Sequence, residues 1–532
     1  MVPELQPRDE VASALGSPVV GSAGPSARAS PAATDSEEDA TTTSEPDAKI
    51  RPLGKATLPA RRAAHAARSS DLVLAPSLVD IPTFLIDHWF KSVCHSWSAY
   101  DSESNPYRQL TSSLWTRSGS VYWALQTISA ASLVERLPHV ITDIAMSAPR
   151  MAEEAIQKEL VLFSSGTVDK FPSELLVSLF CMSSSLCWTE SRQLGLRFVR
   201  QARAVLKCLD KKALNEDDRA LLDFFNGCLI YEEMLRSVVS DDEVDTKNML
   251  SWPEPGNRDT IMPLDPHAWT GVSPHILRLF GKAMALCRRS RNRWRLHSTT
   301  TYKILQGAMM DIEEARSVEE SLLATEPLRP SATPDVKPSD RADVQHFYNV
   351  TEAYRLSSLL QLYLTFPDLV ANRIPSQVDE DGSVGWDAWV SPLALHIADV
   401  LEKIPPASMR CIQPLLCLCA GSGLRFDSRP SFKYETYVED LPPPPSGLLG
   451  DNPDSFTAGA EISETSLKIL RARNFLIRRL EQLELSLPPK PISVANELLR
   501  AVWKVYDEEI GSSKRTHWVD VMTSTGLQSL FG

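Results

Sequence analysis

The 532-residue chain has no surplus of basic residues: 55 Lys and Arg stand against 68 Asp and Glu, a formal net charge of −13. The field of the whole molecule therefore gives no general attraction to nucleic acid or anionic membrane, and any phosphate contact has to be local. Long apolar runs are also missing. The longest, "ELLVSLFCMSSSLCW" from residue 174, is short of the roughly 20 residues that a membrane helix needs and is broken by serine. The chain opens "MVPELQPRDE", with acid where a secretory signal needs a basic stretch and an apolar core. These absences predict a soluble, non-secreted chain.

Cysteine is sparse and irregularly spaced, at 94, 181, 187, 208, 228, 287, 411, 417 and 419. That pattern does not build a secreted disulfide scaffold and points to a reducing interior. There is no C-x2-C pair, the simplest sequence sign of a tetrahedral zinc site. Cys181 and Cys187, and the group Cys411, Cys417 and Cys419, are expected to act as small buried hydrophobes.

Catalytic signatures are missing too: no G-x-S-x-G elbow, no phosphate-binding G-x-x-x-x-G-K-[ST] loop and no H-E-x-x-H. Cys94 and His95 are sequence neighbours, which point in different directions on a helix. "AGSGLRF", residues 420–426, reads as a turn. The chain is not expected to be an enzyme. No catalytic, cofactor-binding or metal-ligating residue is assigned.

What is present is ordinary globular composition, 43% hydrophobic and 23% charged, enough for a large core. Residues 1–78 are rich in Ala, Ser, Pro, Thr and acid and lack a sustained period, so they are expected to form a disordered arm. The arm is acidic up to Asp47. It then turns basic, with Lys49, Arg51, Lys55, Arg61, Arg62 and Arg68 and no acid among them. From 79 to 532, apolar residues recur at helical spacing, as in "RALLDFFNGCLIYEEML". The expected fold class is all-α, one large multi-helix domain. Within it, "LSSLL" (Leu356–Leu360) matches a coactivator-docking pattern, but its apolar surroundings predict a place in the core.

The densest basic segment is "CRRSRNRWRL", residues 287–296, with Arg288, Arg289, Arg291, Arg293 and Arg295. Upstream, Ser273 suits an N-cap and Pro274 a first helical turn, and Ile276, Phe280, Ala283 and Cys287 share one face. Cys287 is therefore expected to point inward. Arg288, Arg289 and Arg291 are expected in the final turns, where cations complement the helix dipole. A solvated helix end is the primary reading of this patch, and a nucleic-acid or nuclear-import surface is the alternative.

Several segments carry a resemblance when taken in order. They are "FLIDHWFKSVCHSWSAYDSESNPYRQL", "QLGLRFVRQARAVL", "FFNGCLIYEEMLRS", "WTGVSPHILRLFGKAMALCRRSR", "EAYRLSSLLQLYLTFPDLV", "ALHIADVLEKIPPASMRCIQPLLCLCAGSGL" and "RARNFLIRRLEQLE…VWKVYDEE". Together they resemble the helical regulatory region of fungal binuclear-zinc-cluster transcription factors, the fungal-specific transcription factor domain, over about 81–510.

The resemblance implies a nuclear regulator of RNA polymerase II genes. It also implies partners: the transcription machinery or another DNA-binding regulator, with a homodimer as a further arrangement, and no membrane. The family's usual DNA reader is an N-terminal module of six cysteines holding two zincs, whereas here the first cysteine is Cys94. The reader is thus expected to be missing from this chain, which would then touch DNA only indirectly or weakly. No cofactor is expected, zinc entering only if such a module exists. The basic tract Lys49 to Arg68 falls where the linker after that module would lie. It suits nuclear import or weak phosphate contact, which cannot by itself specify a sequence. A helical scaffold or adaptor without direct DNA binding is the competing function.

Overall fold

In the computed structural model, residues 80–99, 101, 105–166, 170–250, 267–296, 299–325, 340–373, 386–426, 463–510, 512 and 515–532 are described. The arm and the tract Lys49 to Arg68 lie outside them.

The described residues are helical and contain no strand, in agreement with the all-α expectation. A first helix, α1 (Ile81–His88), passes through one π-helical turn at Trp89–Val93 into α2 (Cys94–Trp97). Then come α3 (Pro106–Leu114), α4 (Gly119–Leu133), α5 (Pro138–Ser164), α6 (Ser173–Thr189), α7 (Leu196–Leu209), α8 (Glu216–Val239) and α9 (Glu243–Leu250). The middle holds α10 (Pro274–Leu296), α11 (Tyr302–Ala324), α12 (Asp340–Thr365), α13 (Pro367–Arg373), α14 (Trp386–Glu402) and α15 (Gln413–Ser422). The last are α16 (Glu464–Glu484), α17 (Pro489–Glu508) and α18 (Trp518–Thr525).

Local chemistry sets many of the starts. Asn105 accepts from the Tyr107 amide with Pro106 at the first helical position, and Ser118 accepts from Val121. Asn215 accepts from Asp218, in a first turn carrying Glu216, Asp217 and Asp218. Each side chain satisfies an amide that the helix itself leaves without a partner, and the acids complement the positive end of the dipole.

Most of the buried side chains form one continuous core. α4 packs on α5 and α6, α10 packs between α8 and α12, α12 packs on α14, and α16 pairs with α17. Because α4, α6 and α15 are buried on most faces, their sequences are apolar or small all round. An aromatic group joins distant segments within this core. Trp97 lies 4.6 Å from Tyr107 and 4.8 Å from Trp269, ring centre to ring centre. The Trp269 indole donates to the Trp97 carbonyl at 2.9 Å, so the ring's one polar atom is satisfied where it is buried.

The "LSSLL" leucines Leu356, Leu359 and Leu360 are buried in the core, as expected. So are Cys181, Cys187, Cys411, Cys417 and Cys419, whereas Cys208 is exposed. Burial pushes the Cys187 and Cys417 thiols up to about 12. The turn expected over 420–426 is shorter than the sequence suggests. α15 continues through Ser422, and the Gly421 carbonyl accepts from the Trp503 indole at 2.9 Å. A Cβ at Gly421 would collide with Leu499, so this glycine admits close approach of α17 instead of bending the chain.

Candidate functional site: the acidic corner between α8 and α9

α8 ends at Val239, and the chain turns through Ser240, Asp241 and Asp242 into α9. Asp242 caps the new helix, its Oδ1 accepting from Val244 at 2.9 Å and Asp245 at 3.1 Å. The backbone hydrogen bond from Asp245, together with that from Val244 and the charge of Arg200, holds the Asp242 carboxyl below its usual range against a smaller burial effect.

Arginines reach this corner from two directions. From α10, Arg288 donates to the carbonyls of Val238 at 2.9 Å and Ser240 at 3.1 Å and pairs with Asp241. Asn292 and Arg295 also donate to Asp241, at 2.8 and 3.4 Å. Burial acts to raise the Asp241 carboxyl, but Arg288, Asn292 and Arg295 together hold it below the usual range. From α7, Arg200 donates to Asp245 at 2.7 Å and pairs with Asp242 at 3.0 Å. Arg203 pairs with Glu233.

The five arginines of 287–296 are thus committed to acceptors within the protein. Arg289 donates to Asp311 at 2.8 Å and to Glu314 at 2.6 Å. Arg293 also pairs with the buried Asp311, and Arg291 reaches Asp520 of α18. Helix α10 runs to Leu296, so Arg288 and Arg289 lie more than a turn inside it and only Arg293 and Arg295 occupy its last turn. Arg288 is 2% exposed, which departs from the solvated end expected of it. The reason is register: successive residues face α8, α11 and α18, and each of those surfaces carries an acid far away in sequence. Cys287 points inward as expected, fully buried, with Sγ 3.3 Å from the Gln361 carbonyl.

The segment "SVVSDDEVDTKN", residues 237–248, carries no motif that marks this corner in the sequence. The corner's signal was four acids within five residues, at 241, 242, 243 and 245, directly after a long helix.

Below the corner, a buried ion pair anchors α8 to α6. Arg236 donates to Glu232 at 2.5 Å, to the Ser183 carbonyl at 2.9 Å and to the Leu194 carbonyl at 2.9 Å. Glu232 also accepts from the hydroxyls of Ser183 and Ser184. A buried pair is tolerable only when such extra hydrogen bonds satisfy the remaining polar atoms.

Between α7, α8 and α9 lies a cleft of about 20 Å³, lined by Arg200, Arg203, Glu233, Arg236, Asp245 and Thr246, among others. Glu233 is 4% exposed. One of its oxygens takes the Arg203 guanidinium, while its Oε2 is buried with no partner. Burial pushes this carboxyl above its ordinary value against the pull of Arg203. Among the described residues, no three His, Cys, Asp or Glu side chains gather in a way that could hold a metal ion. No described helix is long and apolar enough to cross a membrane.

The family model for the fungal specific transcription factor domain matches residues 84–532. The chain belongs to that family, whose members regulate transcription. No curated protein and no solved structure matches it.

Proposed function

We propose that this chain is a nuclear regulator of RNA polymerase II genes in which the helical domain is the regulatory and partner-binding part. The family match over 84–532 carries the reading. The arginines of α10 are tied to protein acceptors, which leaves Lys49 to Arg68 as the better candidate for phosphate contact or nuclear import. Such a tract adds affinity without reading sequence. Sequence readout is assigned to a zinc-cluster module or a DNA-binding partner outside residues 84–532, and zinc enters only through such a module. The domain acts by binding and restraint, not by catalysis.

Imaging of the tagged chain, combined with transcript profiling after gene deletion, tests this reading. Nuclear accumulation and a coherent set of altered transcripts are expected. A diffuse cytosolic signal with an unchanged transcriptome would overturn it in favour of a scaffold or adaptor.

A further inference from the structure

Thirteen large hydrophobic side chains stand exposed among the described residues, and six of them fall between residues 294 and 310. They are Trp294 and Leu296 at the end of α10, and Tyr302, Leu305, Met309 and Met310 on α11. The two helices pack antiparallel: Arg289 of α10 donates to Glu314, whereas Arg293, one turn later, lies against Gly307. The six side chains therefore gather at one end of a helical hairpin. Single apolar groups are ordinary on a surface, but a contiguous set marks an interaction site.

On α11 this face is separate from the core. The inward stripe, Ile304, Asp311, Ala315, Val318 and Leu322, is buried. Tyr302, Leu305 and Met309 share the opposite side at i, i+3 and i+7, with Tyr302 80% and Met309 68% exposed. Beyond Met310 that outer side turns polar, through Glu313, Ser317 and Glu320. The apolar half is what a partner would cover, and its flanking charges say which. Lys303 is exposed at one end, and at the other Glu313 is 67% exposed, in a surface pair with Arg316 at 3.3 Å. Each stands five residues from Ala308, about 7.5 Å along the helix. A second α11 laid antiparallel about a two-fold axis at the level of Ala308 brings each Lys303 opposite Glu313 of the other copy. The same operation sets Leu305 against Met309 and Met310, whose flexible side chains adapt to such contacts. An anionic lipid surface is disfavoured by Glu313, Glu314 and Glu320 beside the patch, in a chain of net charge −13.

We propose that the apolar end of the α10–α11 hairpin is the surface through which two copies of this chain associate, α11 packing antiparallel on α11. The same patch serves both copies, so the assembly closes at a dimer. One helix face and a hairpin end make a small interface, and a micromolar, readily exchanging dimer is expected. The proposal does not depend on where in the cell the chain acts.

The test is sedimentation velocity of the purified full chain at pH 7, over about 1 to 100 μM. The mass is expected to rise from monomer toward dimer across this range. Met309→Glu, at an exposed position that the core does not use, should hold the chain monomeric throughout. Lys303→Glu and Glu313→Lys should each weaken self-association about tenfold, since each sets two like-charged pairs across the axis. An equimolar mixture of these two variants should associate as the parent does, because every pair is then again opposite in sign, and the double variant should do the same. A monomer at every concentration would overturn the proposal. So would a dimer indifferent to Met309→Glu, which would use another surface, or a charge exchange that restores nothing. Because the readout is association of purified protein, it can fail while nuclear localisation and transcript changes stand, and the reverse.

Discussion

Arg288 of α10 donates through Nη1 to the carbonyl of Val238 at 2.9 Å, closing the last turn of α8 with a guanidinium that is 2% exposed. The same device recurs. Arg479 donates to the Leu401 carbonyl at 3.3 Å and the Ile404 carbonyl at 2.8 Å, near the end of α14. Arg473 donates to the Leu424 carbonyl at 2.8 Å and pairs with Asp507 at 2.9 Å. Helix C-termini leave carbonyls without intrahelical partners and carry partial negative charge. A planar five-donor group satisfies several of them at once. In a chain of net charge −13, these arginines join helices inside the domain.

Arg288→Ala is accordingly expected to destabilise the fold by about 3 kcal/mol, since it strips two carbonyls of their donor and removes a buried guanidinium from its half-exposed partner Asp241. Arg295→Ala removes a more exposed guanidinium from the same aspartate and should cost no more than about 0.5 kcal/mol. Urea unfolding of the two variants side by side measures the difference. Equal losses would mean that the clamp at α8 has no special weight.

Two glycines with left-handed backbone offer a second comparison. Gly195 has φ 61° and a Cβ there would run into the Ser183 backbone, whereas Gly166 has φ 68° and nothing near the same position. Gly166→Ala should cost about 1 kcal/mol for the backbone alone. Gly195→Ala should exceed it by at least about 1 kcal/mol, because it also forces α6 away from the loop before α7. Chemical denaturation gives both values, and similar costs would argue against the close approach.

Acid should weaken the domain in a defined window. Burial pushes His267 down to about 4, and its ring is held neutral, Nε2 3.0 Å from the Phe224 carbonyl and Nδ1 facing the Thr270 amide at 3.3 Å. With an unfolded value near 6.5, the unfolded chain binds the proton first. The contribution is therefore fully present above about pH 6.5 and is lost as pH falls toward 4, up to about 3 kcal/mol by linkage. His517 is depressed in the same direction by burial and by neighbouring arginines, while the raised Glu233 carboxyl acts in the opposite sense. Stability against pH for His267→Gln should be flatter than for the parent across this window. Parallel curves would remove His267 from the account.

Thiol reactivity should single out one cysteine. Cys208 is exposed and the other eight are buried, several with thiols pushed up to about 12 by burial, and thiolate and access together govern alkylation. Maleimide under native conditions should label Cys208 within minutes and the rest only on unfolding, as read by mass spectrometry. Rapid native labelling of Cys287 or Cys417 would contradict the packing described.

The helices were legible in the sequence because their signals are local: apolar spacing, Asn and Ser caps, and proline at first turns such as Pro106 and Pro274. The inward turn of Cys287 was legible from register alone. The acidic corner was not. Its meaning depends on Arg200, Arg203, Arg288 and Arg295 arriving from α7 and α10, and nothing in the spacing of Asp241, Asp242 and Asp245 announces those partners. For the same reason Arg288 reads in sequence as a solvated helix end, although its acceptors lie some fifty residues earlier. Long-range pairing sets both the burial and the charge state of such groups.

The central claim is that this chain acts on transcription through its helical domain, and genome-wide chromatin occupancy of the tagged full chain tests it most directly. Enrichment at a defined set of promoters is predicted, reduced but still focused on the same promoters when Lys49 to Arg68 is deleted, because phosphate contact adds affinity without choosing sites. Absence of promoter enrichment for the intact chain would contradict the account.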